Sequence, residues 1–223
     1  TWNPWMGCTK VSEGCKNCYM FREQKRYGND PTLIRRSKTK FDAPLKWKEP
    51  RKIFVCSWSD FFHEDVSHSW RVEAMEIMES AQQHTYLLLT KRPELMREQI
   101  SPFWFLDNPH VWLGVSIENQ RHIDRAGHLY DLPASVRFLS VEPLLGPLDL
   151  DEHLGLVDWV ITGGESGSNP RPMSLDWARS IRDQCLDHGV AYFHKQHGGR
   201  RKINGAWGGR ELDGVIWEQF PDD

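Results

Sequence analysis

Six short apolar runs, each ending in polar residues and separated by longer amphipathic stretches, constrain this chain more than any other feature. They are Ile53-Phe54-Val55-Cys56, Tyr86-Leu87-Leu88-Leu89, Val111-Trp112-Leu113-Gly114-Val115, Val136-Arg137-Phe138-Leu139, Trp159-Val160-Ile161 and Ala191-Tyr192-Phe193. Near-continuous apolar runs predict strands covered on both faces, hence parallel pairing. Helical spacing predicts helices over Ser69 to Gln83, with Val72, Met75, Ile77 and Met78 apolar, over Pro93 to Ile100, and over Gln120 to Tyr130. A fourth runs from an N-cap at Ser174 to His188 and stops at Gly189. Strand then helix, repeated, gives a right-handed parallel α/β fold: a partial or full TIM-like (β/α) barrel, or an open doubly wound sheet. A barrel also accounts for the polar residues at the C-terminal end of nearly every strand, the mouth where barrel sites are assembled. A strand just before Trp2 would deliver the segment that follows it to the same mouth.

That segment holds Cys8, Cys15 and Cys18 in a C-x6-C-x2-C spacing. Three thiolates on one loop can hold three irons of a [4Fe-4S] cluster and leave the fourth iron open. Gly7 and Gly14 precede the first two cysteines and permit close backbone approach. Tyr19, beside the third, could shield the site from water. A structural zinc site is the alternative; it needs four ligands and usually shows two paired motifs. The remaining cysteines, Cys56 and Cys185, lie in strand-like and helix-like runs. An odd count of five without a secretory signal argues against a disulfide framework.

The 223 residues read as a single barrel domain: 1–52 the cysteine loop and a basic segment, 53–197 the βα repeats, 198–223 a C-terminal loop and tail packing back through Val215, Ile216 and Trp217. No run reaches the length of a membrane span, and a cytoplasmic location in a bacterial or phage-infected cell is expected. A formal charge of −3 gives no global nucleic-acid footprint. Residues 16–52 are nevertheless rich in Lys and Arg interleaved with Tyr19, Phe21, Tyr27, Phe41 and Trp47. They form either a surface for phosphates and bases or a solvated helix and loop. Most of the eleven tryptophans are expected in packing.

The strand ends supply the other candidates. Gly163-Gly164-Glu165 would let a ligand approach the backbone while the carboxylate binds an ammonium or a ribose hydroxyl. Ser57, Ser59 and Asp60 offer hydroxyls and an acid, Lys91 with Arg92 a clamp for carboxylate or phosphate, and Glu118 and Glu142 further carboxylates. Each can equally serve as a cap or turn. No nucleophile elbow, phosphate-cradling loop or metalloprotease helix occurs, so hydrolytic chemistry falls behind.

Thr1-Trp2-Asn3-Pro4-Trp5-Met6-Gly7-Cys8, the three-cysteine loop, Ser57-Trp58-Ser59-Asp60-Phe61-Phe62-His63, Leu89-Thr90-Lys91-Arg92-Pro93, Ser140-Val141-Glu142-Pro143 and Gly163-Gly164-Glu165-Ser166-Gly167 resemble the phage-type three-Cys-motif family, as does the closing Trp217-Glu218-Gln219-Phe220-Pro221. The resemblance implies a likeness to radical S-adenosylmethionine (SAM) enzymes, with Cys8, Cys15 and Cys18 ligating a [4Fe-4S] cluster and SAM on the fourth iron. Two departures stand out. Radical SAM enzymes generally use C-x3-C-x2-C, and their Gly-Gly-Glu usually closes the second strand, where this chain has Ser57, Trp58, Ser59 and Asp60; Asp60 therefore rivals Glu165 for the SAM ammonium. The expected function is an enzyme that cleaves SAM reductively and modifies a substrate such as a nucleic acid, with an external electron donor and a three-Cys-motif partner protein. The alternatives are a nucleic-acid-binding or redox-sensing protein with a structural cluster, and a zinc-stabilised module.

Overall fold

The six apolar runs are the six strands of one sheet. In the computed structural model, which describes residues 1–221, β1 (Lys52–Val55), β2 (Thr85–Thr90), β3 (Val111–Ser116), β4 (Arg137–Val141), β5 (Trp159–Gly163) and β6 (Ala191–Gln196) are neighbours in that order. The sheet is parallel, with Val55 opposite Leu88, Phe138 opposite Trp159, and Trp159 opposite Ala191. A doubly wound sheet reverses its strand order at a switch point. The order here never reverses, so the topology is that of a (β/α) barrel, and six strands make it partial. Helices α1 (Tyr19–Arg26), α2 (His68–Ser80), α3 (Met96–Gln99), α4 (Pro102–Asp107), α5 (Asp151–Leu154) and α6 (Leu175–His188) accompany the sheet. No helix among the described residues is long and apolar enough to cross a membrane.

The chain forms two compact units, one of Thr1–Val11, Cys18–Gly114 and Asp131–Ser135, the other of Ser12–Asn17, Val115–Tyr130 and Val136–Asp223. In the first, the strand expected before Trp2 is a single parallel bridge to Val55. The Trp2 N–H donates to Phe54 O at 3.0 Å, and the Cys56 N–H donates to Trp2 O at 2.9 Å. The Trp2 indole is buried and donates to Phe41 O at 3.0 Å, so its one polar atom is satisfied. Trp5–Met6 then pairs antiparallel with Arg35–Arg36. Helix α2 buries Ile77 and Met78 of its four apolar positions, as the spacing indicates, and departs from it at Val72. Val72 is exposed, while Arg71, Ala74, Ile77 and Met78 are buried. Arg71 can be interior because its guanidinium donates to Phe61 O and His63 O, both at 3.2 Å.

In the second unit, Gln120–Leu129 is a series of 3-10 turns, entered through Asn119, whose Oδ1 accepts the Arg121 N–H at 3.0 Å. Helix α6 starts and stops as its caps predict: Ser174 Oγ accepts the Asp176 N–H, and Gly189 closes the helix at φ +68°. The C-terminal segment is two hairpins, Lys202–Ile203 with Ala206–Trp207 and Glu211–Leu212 with Val215–Ile216. Val215 and Ile216 are exposed, contrary to expectation; Leu212, opposite Val215 on the other strand of the hairpin, is buried instead. The tail returns beyond them. His194 N–H donates to Trp217 O at 2.9 Å and Gln219 N–H to Tyr192 O at 3.1 Å, which covers the β6 edge.

Candidate functional site

In the first unit the cysteine loop is tied to the ends of β1 and β2. Gly7 has φ +104°, and a Cβ there would lie 2.3 Å from the Leu33 carbonyl oxygen, so only glycine fits. Its N–H donates to Trp58 O at 3.0 Å, and its carbonyl accepts from Ser59 Oγ at 2.5 Å. Ser57 exchanges hydrogen bonds with Asn3, and its carbonyl accepts from Tyr19 Oη at 2.7 Å. The Asp60 carboxylate is buried and engaged within the fold. Oδ1 accepts from Thr90 Oγ1 at 2.7 Å and from the Phe62 N–H at 3.0 Å, and Oδ2 accepts the Lys91 N–H at 3.0 Å. Here Asp60 joins two strand ends, and Lys91 takes part through its backbone.

The neighbouring arginine reaches the cysteines. Arg92 is 2% exposed; its Nε donates to Glu64 at 2.7 Å, its Nη2 to Thr9 Oγ1 at 2.6 Å and Thr9 O at 3.1 Å. Its Nη1 lies 3.7 Å from Cys8 Sγ. Burial opposes its charge, but Asp60, Cys8 and Glu64 together outweigh that and raise its pKa. His63, fully buried, accepts the Asp65 N–H on Nδ1 at 3.1 Å and the Thr9 N–H on Nε2 at 3.1 Å, and Nε2 also lies 3.0 Å from Thr9 Oγ1. Burial, assisted by the Arg92 charge, lowers the His63 pKa.

In the second unit the short helical turn Glu13–Cys15 rests on the residues after β3. Glu118 is fully buried; it accepts from Ser12 Oγ at 2.6 Å and Arg125 Nη1 at 2.8 Å. Gly14 packs directly against it, since a Cβ there would sit 2.2 Å from Glu118 Oε1. Cys15 is buried, with Sγ 3.8 Å from Ser12 Oγ. The Glu13 carboxylate accepts from Asn119 Nδ2 at 2.6 Å and contacts His122 Nε2 at 2.8 Å. The His122 bond chiefly, then that from Asn119, holds its pKa down at about 2.

The Gly-Gly-Glu sequence serves packing within this unit. The groups that crowd its glycines are the chain's own: a Cβ on Gly163 would meet Glu142 Oε1 at 2.6 Å, and one on Gly164 would meet His197 O at 1.9 Å. Glu165 is held by Arg171, through Nε at 3.0 Å and Nη2 at 2.5 Å, and by Asn17 Nδ2 at 2.8 Å. Burial raises the Glu165 pKa, and these hydrogen bonds reverse the shift to a net lowering. Arg171 Nη1 also donates to Glu13 O at 2.8 Å, so Glu165 anchors the cysteine loop. Glu142 pairs with Lys195 at 3.1 Å. Arg171 and His122 carried no motif in the sequence, and His63 only closed the Ser57-to-His63 stretch. Asn17 had only its place between two cysteines to mark it.

The cysteines fall into two chemical groups. Burial pushes the Cys56 thiol well up and Cys185 up to about 12, which suits both to inert packing. Cys8, Cys15 and Cys18 are not disulfide-bonded, and Cys8 and Cys18 are partly exposed. The Arg92 charge beside Cys8 complements a thiolate or a bound anionic cluster. This donor set fits three-cysteine ligation of an iron–sulfur cluster. Among the described residues, no group of three His, Cys, Asp or Glu is arranged to hold a metal ion. Thiolates on separate irons of a cluster stand further apart than ligands of one ion.

The fold is a partial parallel (β/α) barrel. A cysteine-to-serine variant of the radical SAM enzyme spore photoproduct lyase superposes with a TM-score of 0.50 at 14% identity, over 82% of this chain and 59% of that one. The same lyase complexed with dinucleoside spore photoproduct gives 0.49 at 14% identity, over 81% and 58%. A further variant with bound AdoMet and dinucleoside spore photoproduct gives 0.48 at 13% identity, over 82% and 59%. The chain thus spans less than two thirds of the lyase's length. It belongs to the family described as "Protein of unknown function (DUF5131)", which it matches over residues 1–221. No curated protein matches it.

Proposed function

We propose that this protein is a radical SAM-like enzyme in which Cys8, Cys15 and Cys18 ligate a [4Fe-4S] cluster whose fourth iron binds SAM. What most supports the reading is the use of strand-end residues: in each unit they fasten the cysteine loop, through Ser59 and Arg92 in one and Glu118 and Glu165 in the other. When bound, such a cluster supplies one electron for reductive cleavage of the SAM sulfonium, the cofactor chemistry of radical SAM enzymes. The chain's own residues hold the loop. Gly7 admits its turn, Gly14 lets it settle on Glu118, and Arg92 places a positive charge beside Cys8.

The fold likeness and the motifs shared with the phage-type three-Cys-motif family support the same reading, which requires an external one-electron donor. Because Asp60 and Glu165 are engaged within the fold, SAM recognition falls on other groups, such as backbone amides at the strand ends. The experiment is anaerobic reconstitution followed by incubation with dithionite and SAM. We expect iron and sulfide equivalent to one cluster per chain, and cleavage of SAM that is lost when Cys15 is replaced by Ala. Zinc in place of iron, or cleavage that persists in that variant, would overturn the reading.

A further inference from the structure

The first unit contains a cleft of about 400 Å³ whose walls include Trp2, Met6, Trp47 and Trp58, with Lys40 at its margin. This is near the lower end of small-ligand pockets, roughly 300–1,000 Å³. It has room for a base and its sugar, and none for a duplex. Trp2 is wholly buried, whereas Trp47 and Trp58 are half-buried. Trp58 also stacks on Tyr27, with ring centroids 6.2 Å apart and planes 25° apart, and the Arg51 guanidinium lies over Trp47 at 4.8 Å.

The charges around this cleft are mostly of one sign. Lys38, Lys40, Lys48 and Arg51 are exposed. Two other cations of the segment are already used: Lys46 pairs with Asp42 at 2.7 Å and Arg36 with Glu73 at 2.6 Å. Lys38, Lys40 and Lys48 pair with no acid among the described residues. Flat aromatic walls beside uncommitted cations match a planar base carried on an anionic backbone. An apolar peptide would make no use of the lysines.

We propose that this cleft binds one unpaired base of a single-stranded nucleic acid, stacked on Trp47 and Trp58, with the adjoining phosphates on Lys38, Lys40 and Lys48. The cleft adjoins the segment leading into the cysteine loop: Met6 stands two residues before Cys8, and Trp58 O accepts the Gly7 N–H at 3.0 Å. The inference deepens the proposed function by naming its substrate class, and it rests on that reading only for the fate of the bound base.

The test is fluorescence anisotropy of the full chain with labelled single-stranded DNA, single-stranded RNA of the same sequence, and the DNA duplex, each over a range of salt. At least one single strand should bind tenfold or more tightly than the duplex, and the tighter of the two identifies the strand chemistry. Trp47→Ala should weaken binding roughly ten- to a hundredfold without altering the salt slope, and Trp47→Phe should recover most of the loss. Lys40→Ala should reduce the slope of log affinity against log salt by about 0.7. Absence of binding to either strand, equal binding to duplex, or a Trp47→Ala variant that is folded and binds like the unaltered chain would overturn the proposal. The SAM response of the cluster in Trp47→Ala reports the cofactor reading separately, so either can fail alone.

Discussion

Arg92 joins Asp60, Glu64, Thr9 and Cys8 in one network, and its loss should be felt in stability before anything else. Its guanidinium serves Thr9 and Glu64 and lies 3.7 Å from Asp60, which is buried. Removing one partner of a buried charged pair costs about 3–5 kcal/mol. Arg92→Ala should lose that much in urea unfolding, whereas an exposed change such as Lys48→Ala should lose little. Among the cysteines, Cys8→Ala and Cys18→Ala should abolish iron incorporation and Cys185→Ala should leave it intact; loss of iron from Cys185→Ala would contradict the ligand assignment. His194 gives the fold an acid sensitivity. Burial, with His197 beside it, lowers its pKa from 6.5 to about 3. Over that window the unfolded chain binds the extra proton and the folded chain does not, so stability falls as pH drops below about 6.5. His63 acts in the same direction. Replacing His194 with Leu should flatten the decline in urea midpoint between about pH 6.5 and 5, above the range where Glu13 and Glu165 take up protons. A decline as steep as in the unaltered chain would show that His194 is not its source.

The second unit depends on the glycines after β5. A Cβ on Gly164 would meet a backbone carbonyl at 1.9 Å, and backbone cannot rotate aside as a side chain can. Gly164→Ala should therefore cost about 3 kcal/mol or more in thermal or urea unfolding, against a few tenths for Gly155→Ala, which has open space. The elements themselves were legible in the sequence wherever one force dominated. The six strands follow from apolar runs, and α6 follows from Ser174 and Gly189. Helix α2 follows its apolar spacing at Ile77 and Met78 but not at Val72, because that spacing cannot register an Arg71 buried by two carbonyl acceptors. At Val215 and Ile216 the sequence does not tell which strand of a two-residue hairpin meets the core, and that strand is the one carrying Leu212. The Gly-Gly-Glu sequence was legible, but the contacts its carboxylate makes within the fold were not. Sequence offers no sign that Arg171, six residues on, takes up the carboxylate.

For the whole molecule, the strand order answers the question that periodicity left open, since a barrel and a doubly wound sheet share the same alternation of elements and differ only in strand sequence. Polar residues at strand ends were expected to face a ligand. Ser59, Asp60, Glu118 and Glu165 instead use hydrogen bonds to set the cysteine loop and the strand ends, a task that leaves the same signature in a sequence. In the proposed function the cluster keeps one iron open to SAM. Electron paramagnetic resonance of anaerobically reconstituted, reduced protein, with and without SAM, tests it most directly. The account predicts a [4Fe-4S]⁺ signal that shifts when SAM is added; a signal that SAM leaves unchanged would contradict it and mark the cluster as structural or sensing.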